Sequence, residues 1–244
     1  MSRVIAWFSC GAASAVAARL AVHDYGDLCE VVYCDTMASE HPDNARFFHD
    51  VERWLGRSIR VIKSDEYATV DDVIERTRYM AGNAGARCTV EMKKRPRFKM
   101  QYPDDVHVFG FSADEVKRVN DFEFNSPDMI LDWILLRHGL TKQDCFAELG
   151  RAGIALPVMY AKGYKNNNCI GCVKASSARY WNMIRRDFPE IFDKRARQSR
   201  EIGCRLTRYK GKRIFLDELP PDYLPADDNE NISCGPDCGP QMSN

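Results

Sequence analysis

The N-terminal stretch constrains the fold more than any other part of the chain. Arg3 to Phe8 (RVIAWF) is a short, unbroken apolar run, as expected of a strand buried on both faces. Small residues follow at once, Ser9-Cys10-Gly11-Ala12-Ala13-Ser14, and an Ala-rich stretch of helical spacing covers 12–22. The run loosely mimics a secretory leader behind Arg3. Ser9-Cys10-Gly11 interrupts it, however, and Arg19 falls inside the helical stretch, so a strand and a turn explain it better.

The same alternation continues. Apolar runs at 30–34, 59–63 and 106–110 are separated by helical patterns at 42–55, with Pro42 near the first helical position, and near 70–80. Strand alternating with helix implies βαβ units and an α/β, doubly wound, mostly parallel sheet of about five strands, with ligands at the strands' C-terminal ends. From about 141 the pattern turns helical, at 141–151, 176–187 and 189–202, and RIFLDEL at 213–219 suggests one more edge strand. The tail 220–244 is rich in Pro, Asp and Asn and reads as irregular.

With 244 residues, 45% apolar and 29% charged, the chain is neither disordered nor fibrous. Lys+Arg and Asp+Glu both number 35, giving a net charge of +0 and no global basic field for nucleic acid. No apolar run is long enough for a membrane span. Ten cysteines are too dilute for a small disulfide scaffold and read as reduced thiols in a cytoplasm.

Ser9–Ser14 is suited to an anion, because small residues let backbone N–H groups and the helix N-terminus approach a phosphate. It matches neither GxGxxG nor GxxxxGK[ST], and a tight packing turn is the alternative. Cys169-Ile170-Gly171-Cys172 has the spacing that puts two sulfurs on one metal centre, with iron–sulfur, zinc and a redox pair as readings. Cys29, Cys34 and Cys145 sit in apolar patterns and read as core. The basic runs at 87–99 and 185–200 read first as solvated helix faces, and second as partners of nucleotide phosphates or an RNA backbone. The five histidines show no metal-ligand spacing.

Several segments, taken in order, resemble the phosphoadenylyl-sulfate (PAPS) reductase family of the adenine-nucleotide α-hydrolase superfamily. Ser9-x-Gly11-x-x-Ser14 is similar to its phosphate loop, which in ATP-pyrophosphatase members reads SGGxDS. Tyr33-Cys34-Asp35-Thr36 resembles its "DTG" turn, and His41-Pro42-Asp43-Asn44 stands where its helix begins. Gly110 to Glu115 with Arg118 resembles its G-x-R-x-x-E-S…R segment. Leu131-Asp132-Trp133, Leu140-Thr141 and Met159 to Tyr164 before Cys169 resemble its "PLxxW…LYxxGYxxxGC". The likeness runs from residue 4 to about 175. It departs at Ala13, where pyrophosphatases carry a magnesium-holding Asp, and at Ser112, which replaces an Arg.

The resemblance implies an adenine-nucleotide-binding domain over 1–165 and a helical, Cys-bearing region over 166–244 packed with it as one unit. Phosphates would lie on Ser9, Cys10, Gly11, Ala12, Ala13 and Ser14, and Gly110 would line that site. The adenosine would lie near Asp35 and Thr36, with Lys93, Lys94 and Arg118 balancing charge. Cys88, Cys169 and Cys172 would hold a [4Fe–4S] cluster (zinc being the alternative), completed by an open iron or by Cys204, Cys234 or Cys238. Ser233-Cys234-Gly235 resembles the family's C-terminal E-C-G segment, which makes Cys234 the nucleophile on a sulfonucleotide, PAPS or APS (adenylyl sulfate). A thioredoxin-like dithiol protein is the implied reductant, and a homodimer is left open. The alternative is an ATP-dependent sulfurtransferase acting on nucleic acid or a small acceptor; a third is a non-catalytic regulator.

Overall fold

The computed structural model of the protein describes residues 2–82 and 85–225. Five parallel strands form its centre: β1 (Val4–Phe8), β2 (Cys29–Cys34), β3 (Arg60–Ile62), β4 (Val106–Phe109) and β5 (Ile130–Asp132), ordered β3-β2-β1-β4-β5. Every residue of β1 is buried. It lies between β2 and β4, with Val4 opposite both Cys29 and Val106.

Alternate residues of β1 feed two separate cores, as the pleat requires. Val4, Ala6 and Phe8 pack with α1 (Ala12–Tyr25), α2 (Asp43–Leu55) and Cys145 and Leu149 of a later helix. Ile5 and Trp7 face the opposite side, with Phe109, Phe111, Val119 and Phe122. Helices on both faces make this a doubly wound α/β fold.

Further helices include α3 (Val70–Thr77), α4 (Val116–Phe124), α5 (Lys142–Arg151), α6 (Ala178–Asp187) and α7 (Pro189–Ile202). Side-chain caps set three of their starts: Thr69 accepts from the Asp72 amide, Thr141 from the Asp144 amide and Ser177 from the Tyr180 amide. A third apolar cluster joins α3 to α6 and α7 through Val73, Ile74, Trp181, Ile184 and Phe192, and so draws residues from both sides of position 165. Asp71 of α3 ties it to α7 by ion pairs with Lys194 at 2.6 Å and with Arg195.

The expected edge strand at 213–219 is not part of the central sheet. Lys212–Ile214 instead pairs antiparallel with Thr207–Tyr209 in a two-stranded sheet of its own, and Leu216–Glu218 is a 3-10 turn. The cause is local: Lys210 (φ 47°) and Gly211 (φ 81°) both take left-handed backbone, the geometry of a two-residue hairpin turn. The outer positions of the central sheet belong to β3 and β5. No described helix is long and apolar enough to cross a membrane.

Candidate functional site

The strand order reverses at β1, since the chain runs outward through β2 and β3 and returns on the other side at β4. In open α/β sheets that reversal opens a crevice at the strands' C-terminal ends, where ligands bind. Ser9–Ser14 leaves β1 there and Gly110 leaves β4. A Cβ built on Gly110 would stand 2.6 Å from both the amide nitrogen and the Cα of Ser14, so only glycine permits this approach. Ser14 Oγ accepts from the Ser9 amide and the Ser9 hydroxyl, each at 3.1 Å, and donates to the Gly11 carbonyl at 2.9 Å. The N-cap of α1 is Gly11, which has no side-chain acceptor, and the first turn carries no acidic residue. The helix's positive end is therefore not offset by a local carboxylate. The Ala12 amide donates to the Tyr160 hydroxyl at 3.4 Å.

Cys10 holds φ at 54°, a conformation that costs a non-glycine residue about 1–2 kcal/mol. A buried chain of hydrogen bonds secures it. Asn167 Nδ2 donates to the Cys10 carbonyl at 2.6 Å and to Asn44 Oδ1 at 2.8 Å. Asn44 Nδ2 donates to Glu40 Oε2 at 2.7 Å, and Glu40 Oε1 accepts from Thr36 Oγ1 at 2.6 Å and the Tyr33 hydroxyl at 3.0 Å. The chain links the Ser9–Ser14 loop, the β2 turn and the start of α2. Asp35 is half-buried beside it and accepts from the Met37 amide. Burial first, and the Glu40 charge second, push the Cys10 thiol well above its ordinary range, so this loop cysteine stays protonated at neutral pH.

The first reading of the 87–99 basic run, as a solvated helix face, holds for the exposed Arg95 and Lys99 and is corrected for the rest. The segment is helical from Arg87 to Met100, with a π turn at Val90–Lys94, and buries Lys93, Lys94 and Arg97. It packs against β2, where the Cys34 thiol donates to the Lys93 carbonyl at 3.7 Å. Lys93 also lies close enough to Cys10 for its charge to oppose the rise of that thiol. On the β4 side, Arg118 pairs with Glu115 at 2.6 Å and covers the Phe111 ring at 3.9 Å. Ser112 is used as a cap: its amide and hydroxyl both donate to Glu115 at 3.1 Å. Lys142, for which sequence reasoning gave no role, donates to the Lys165 carbonyl and to Asn166 Oδ1 and lies 5.5 Å from the Tyr160 ring centre. Burial holds its pKa below the ordinary lysine value.

Cys88, Cys169 and Cys172 are each less than one-tenth exposed and belong to the same apolar cluster as Tyr180 and Trp181. The 169–172 turn is firmly seated. Gly171 adopts φ 65° against Ile191, the Gly171 carbonyl accepts from Arg195 Nε at 3.1 Å, and the Cys172 amide donates to the Tyr180 hydroxyl at 2.8 Å. Thiols are the donors that iron–sulfur and zinc centres use. Yet among the described residues no group of three or more His, Cys, Asp or Glu is placed to hold a metal ion. Cys204 is partly buried, and its thiol donates to the Ala81 carbonyl at 3.3 Å. Cys234 and Cys238 lie outside the described residues.

Cys29, Cys34 and Cys145 are buried core residues, and burial pushes their thiols up to about 11, 12 and 12. No protein-family model matches the chain, and no curated protein matches it.

Proposed function

We propose that this protein binds an adenine nucleotide with its phosphates on Ser9–Ser14 and carries out thiol-dependent reduction of a sulfonucleotide. One observation carries the reading: the small-residue loop lies at the sheet's reversal point, with the backbone of Gly110 close against the first turn of α1. That arrangement aims amide N–H groups and a helix dipole at one spot, which is the physics of phosphate binding. Lys93, Lys94 and Arg118 balance the ligand's charge, and the adenosine lies toward Asp35 and Thr36.

In the chemistry, the Cys234 thiolate attacks the sulfonyl sulfur, a Cys–S–SO3 bond forms and the S–O bond to the nucleotide phosphate breaks. A small dithiol protein of the thioredoxin kind then supplies two electrons. One of its thiols attacks the Cys234 sulfur and releases sulfite, and its second thiol resolves the mixed disulfide, returning Cys234 as a thiol. Nucleotide phosphate, sulfite and one oxidised dithiol are the products. This use of free thiols goes with a reducing, cytoplasmic setting. A [4Fe–4S] cluster on Cys88, Cys169 and Cys172, with a tail cysteine or an open iron completing it, belongs to the same proposal, and no step is routed through it.

The test is calorimetric titration with PAPS, APS and ATP, followed by sulfite release with a dithiol reductant. Binding of PAPS or APS with turnover that falls at least a thousandfold in Cys234→Ser is the expected result. Unchanged turnover in Cys234→Ser overturns the mechanism. AMP and pyrophosphate from ATP plus an acceptor would establish the sulfurtransferase alternative instead. Iron and sulfide analysis of anaerobically purified protein addresses the cofactor: about four of each per chain is expected, and about one zinc refutes the cluster.

A further inference from the structure

A strained residue persists only where its surroundings over-determine it. Cys10 is such a residue, and the group that fixes its carbonyl comes from far along the chain. Asn167 Nδ2 spends both its hydrogens inside the fold, on the Cys10 carbonyl at 2.6 Å and on Asn44 Oδ1 at 2.8 Å. The direction of that amide is dictated from the other end. Glu40 accepts from Asn44 Nδ2, so Asn44 Oδ1 must face Asn167, and Asn167 must in turn present its donor. Asn44 and Asn167 are both buried, which removes water as a substitute partner. Asn167 stands two residues before Cys169, and Ile170 between the two cysteines donates its amide to the Ser39 carbonyl at 2.9 Å. The segment carrying the cysteines is thus stitched both to the phosphate loop and to the turn after β2.

We propose that Asn167 is a positioning residue that clamps the left-handed turn at Cys10 and so makes the shape of the phosphate loop depend on seating of the 166–172 segment. The relevance to ligand binding rests on the phosphate reading of Ser9–Ser14; the clamp itself does not. With the clamp removed, Cys10 relaxes toward ordinary backbone angles, the Gly11 carbonyl swings, and the first turn of α1 loses its anchor. Glycine at position 10 adopts the turn unaided, because it meets no Cβ penalty there.

Hydrogen exchange followed by mass spectrometry on the full chain tests this without any nucleotide. In Asn167→Ala, amides of the 10–16 peptide are expected to exchange about tenfold faster, the ratio carried by one lost buried hydrogen bond. The 29–34 peptide in β2 keeps its wild-type rate, which separates a local clamp from general destabilisation. In the Cys10→Gly/Asn167→Ala double variant, the acceleration relative to Cys10→Gly shrinks to less than about threefold. Should Asn167→Ala fail to fold, Asn167→Leu keeps roughly the volume and removes the donor without adding a charge, with the same acceleration expected. Wild-type exchange at 10–16 in either variant overturns the proposal. So does equal acceleration in the Cys10→Gly background or across all slow peptides. Nucleotide titration of the wild-type chain tests the phosphate reading separately, so either can fail alone.

Discussion

Replacing Gly110 with alanine puts the strongest demand on the site as described. The added Cβ would stand 2.6 Å from the Ser14 nitrogen and Cα and 2.9 Å from its Cβ, whereas ordinary contact begins near 3.4 Å, so something must yield by about 0.8 Å. Neither side moves easily. The obstructing atoms are mainly backbone, Gly110 directly follows β4, which is hydrogen-bonded on both sides, and α1 is packed on the sheet through Ala15 and Ala18, both essentially inaccessible. Overpacking of a tight core costs about 1–3 kcal/mol, and a backbone obstruction belongs at the upper end, about 2–3 kcal/mol. For a chain of this size that lowers the melting temperature by roughly 5–10 °C. On the proposed nucleotide reading, the part of the strain relieved by opening the loop appears as weaker nucleotide binding, by at least about tenfold, or ~1.4 kcal/mol. Gly150→Ala is the matched control: that glycine lies exposed in α5 with nothing near its added Cβ, so alanine there should stabilise by up to ~1 kcal/mol. Urea unfolding by circular dichroism and calorimetric titration read both quantities. A Gly110→Ala protein with wild-type stability and affinity would refute the argument that this contact shapes the site.

Two further outcomes follow from buried titratable groups. His107 is held down at about 4, by burial first and by the charge of Arg97 second, and its Nδ1 accepts from Trp7 Nε1 at 3.0 Å. The unfolded chain, with an ordinary histidine near 6.5, takes up the proton first; the contribution is therefore present above pH 6.5 and is lost as pH falls toward 4, by about 3 kcal/mol in all. Urea titrations at pH 7 and 4.5 should show a smaller loss in His107→Gln than in wild type, and equal losses refute it. With their thiols pushed up to about 11, 12 and 12, Cys29, Cys34 and Cys145 stay protonated at pH 8, so iodoacetamide should leave them unmodified in the folded protein. Peptide mass spectrometry checks this, and labelling of all three at the rate of a small free thiol counts against the fold.

What was legible in the sequence was what local physics controls. VIAWF reads as a strand buried on both faces because a central parallel strand has no polar side to show, and that is where β1 lies. The helices at 141–151 and 176–187 were legible from their spacing, and the structure starts them on the hydroxyls of Thr141 and Ser177, which capture free amides. Burial of Lys93 and Lys94 was not legible, since a charge run on a helix looks the same whether water or a sheet faces it. The hairpin at 207–214 was missed although Lys210-Gly211 carried a usable signal, because the apolar end of RIFLDEL drew the strand too far along the chain.

Glu40, Asn44 and Asn167 pose a deeper difficulty. Each is an ordinary surface residue by type; Glu40 and Asn44 are only four residues apart, but the fold alone brings Asn167, 123 residues beyond Asn44, into the same buried chain. Cys10 shows how such a site can nevertheless betray itself. Local preference asks for glycine in a left-handed turn, and the chain places a β-carbon there. Where local preference and the fold disagree, a non-local contact must supply the difference. Here that contact is the Asn167 amide, which fixes the loop through a residue that no reading of the loop alone would select.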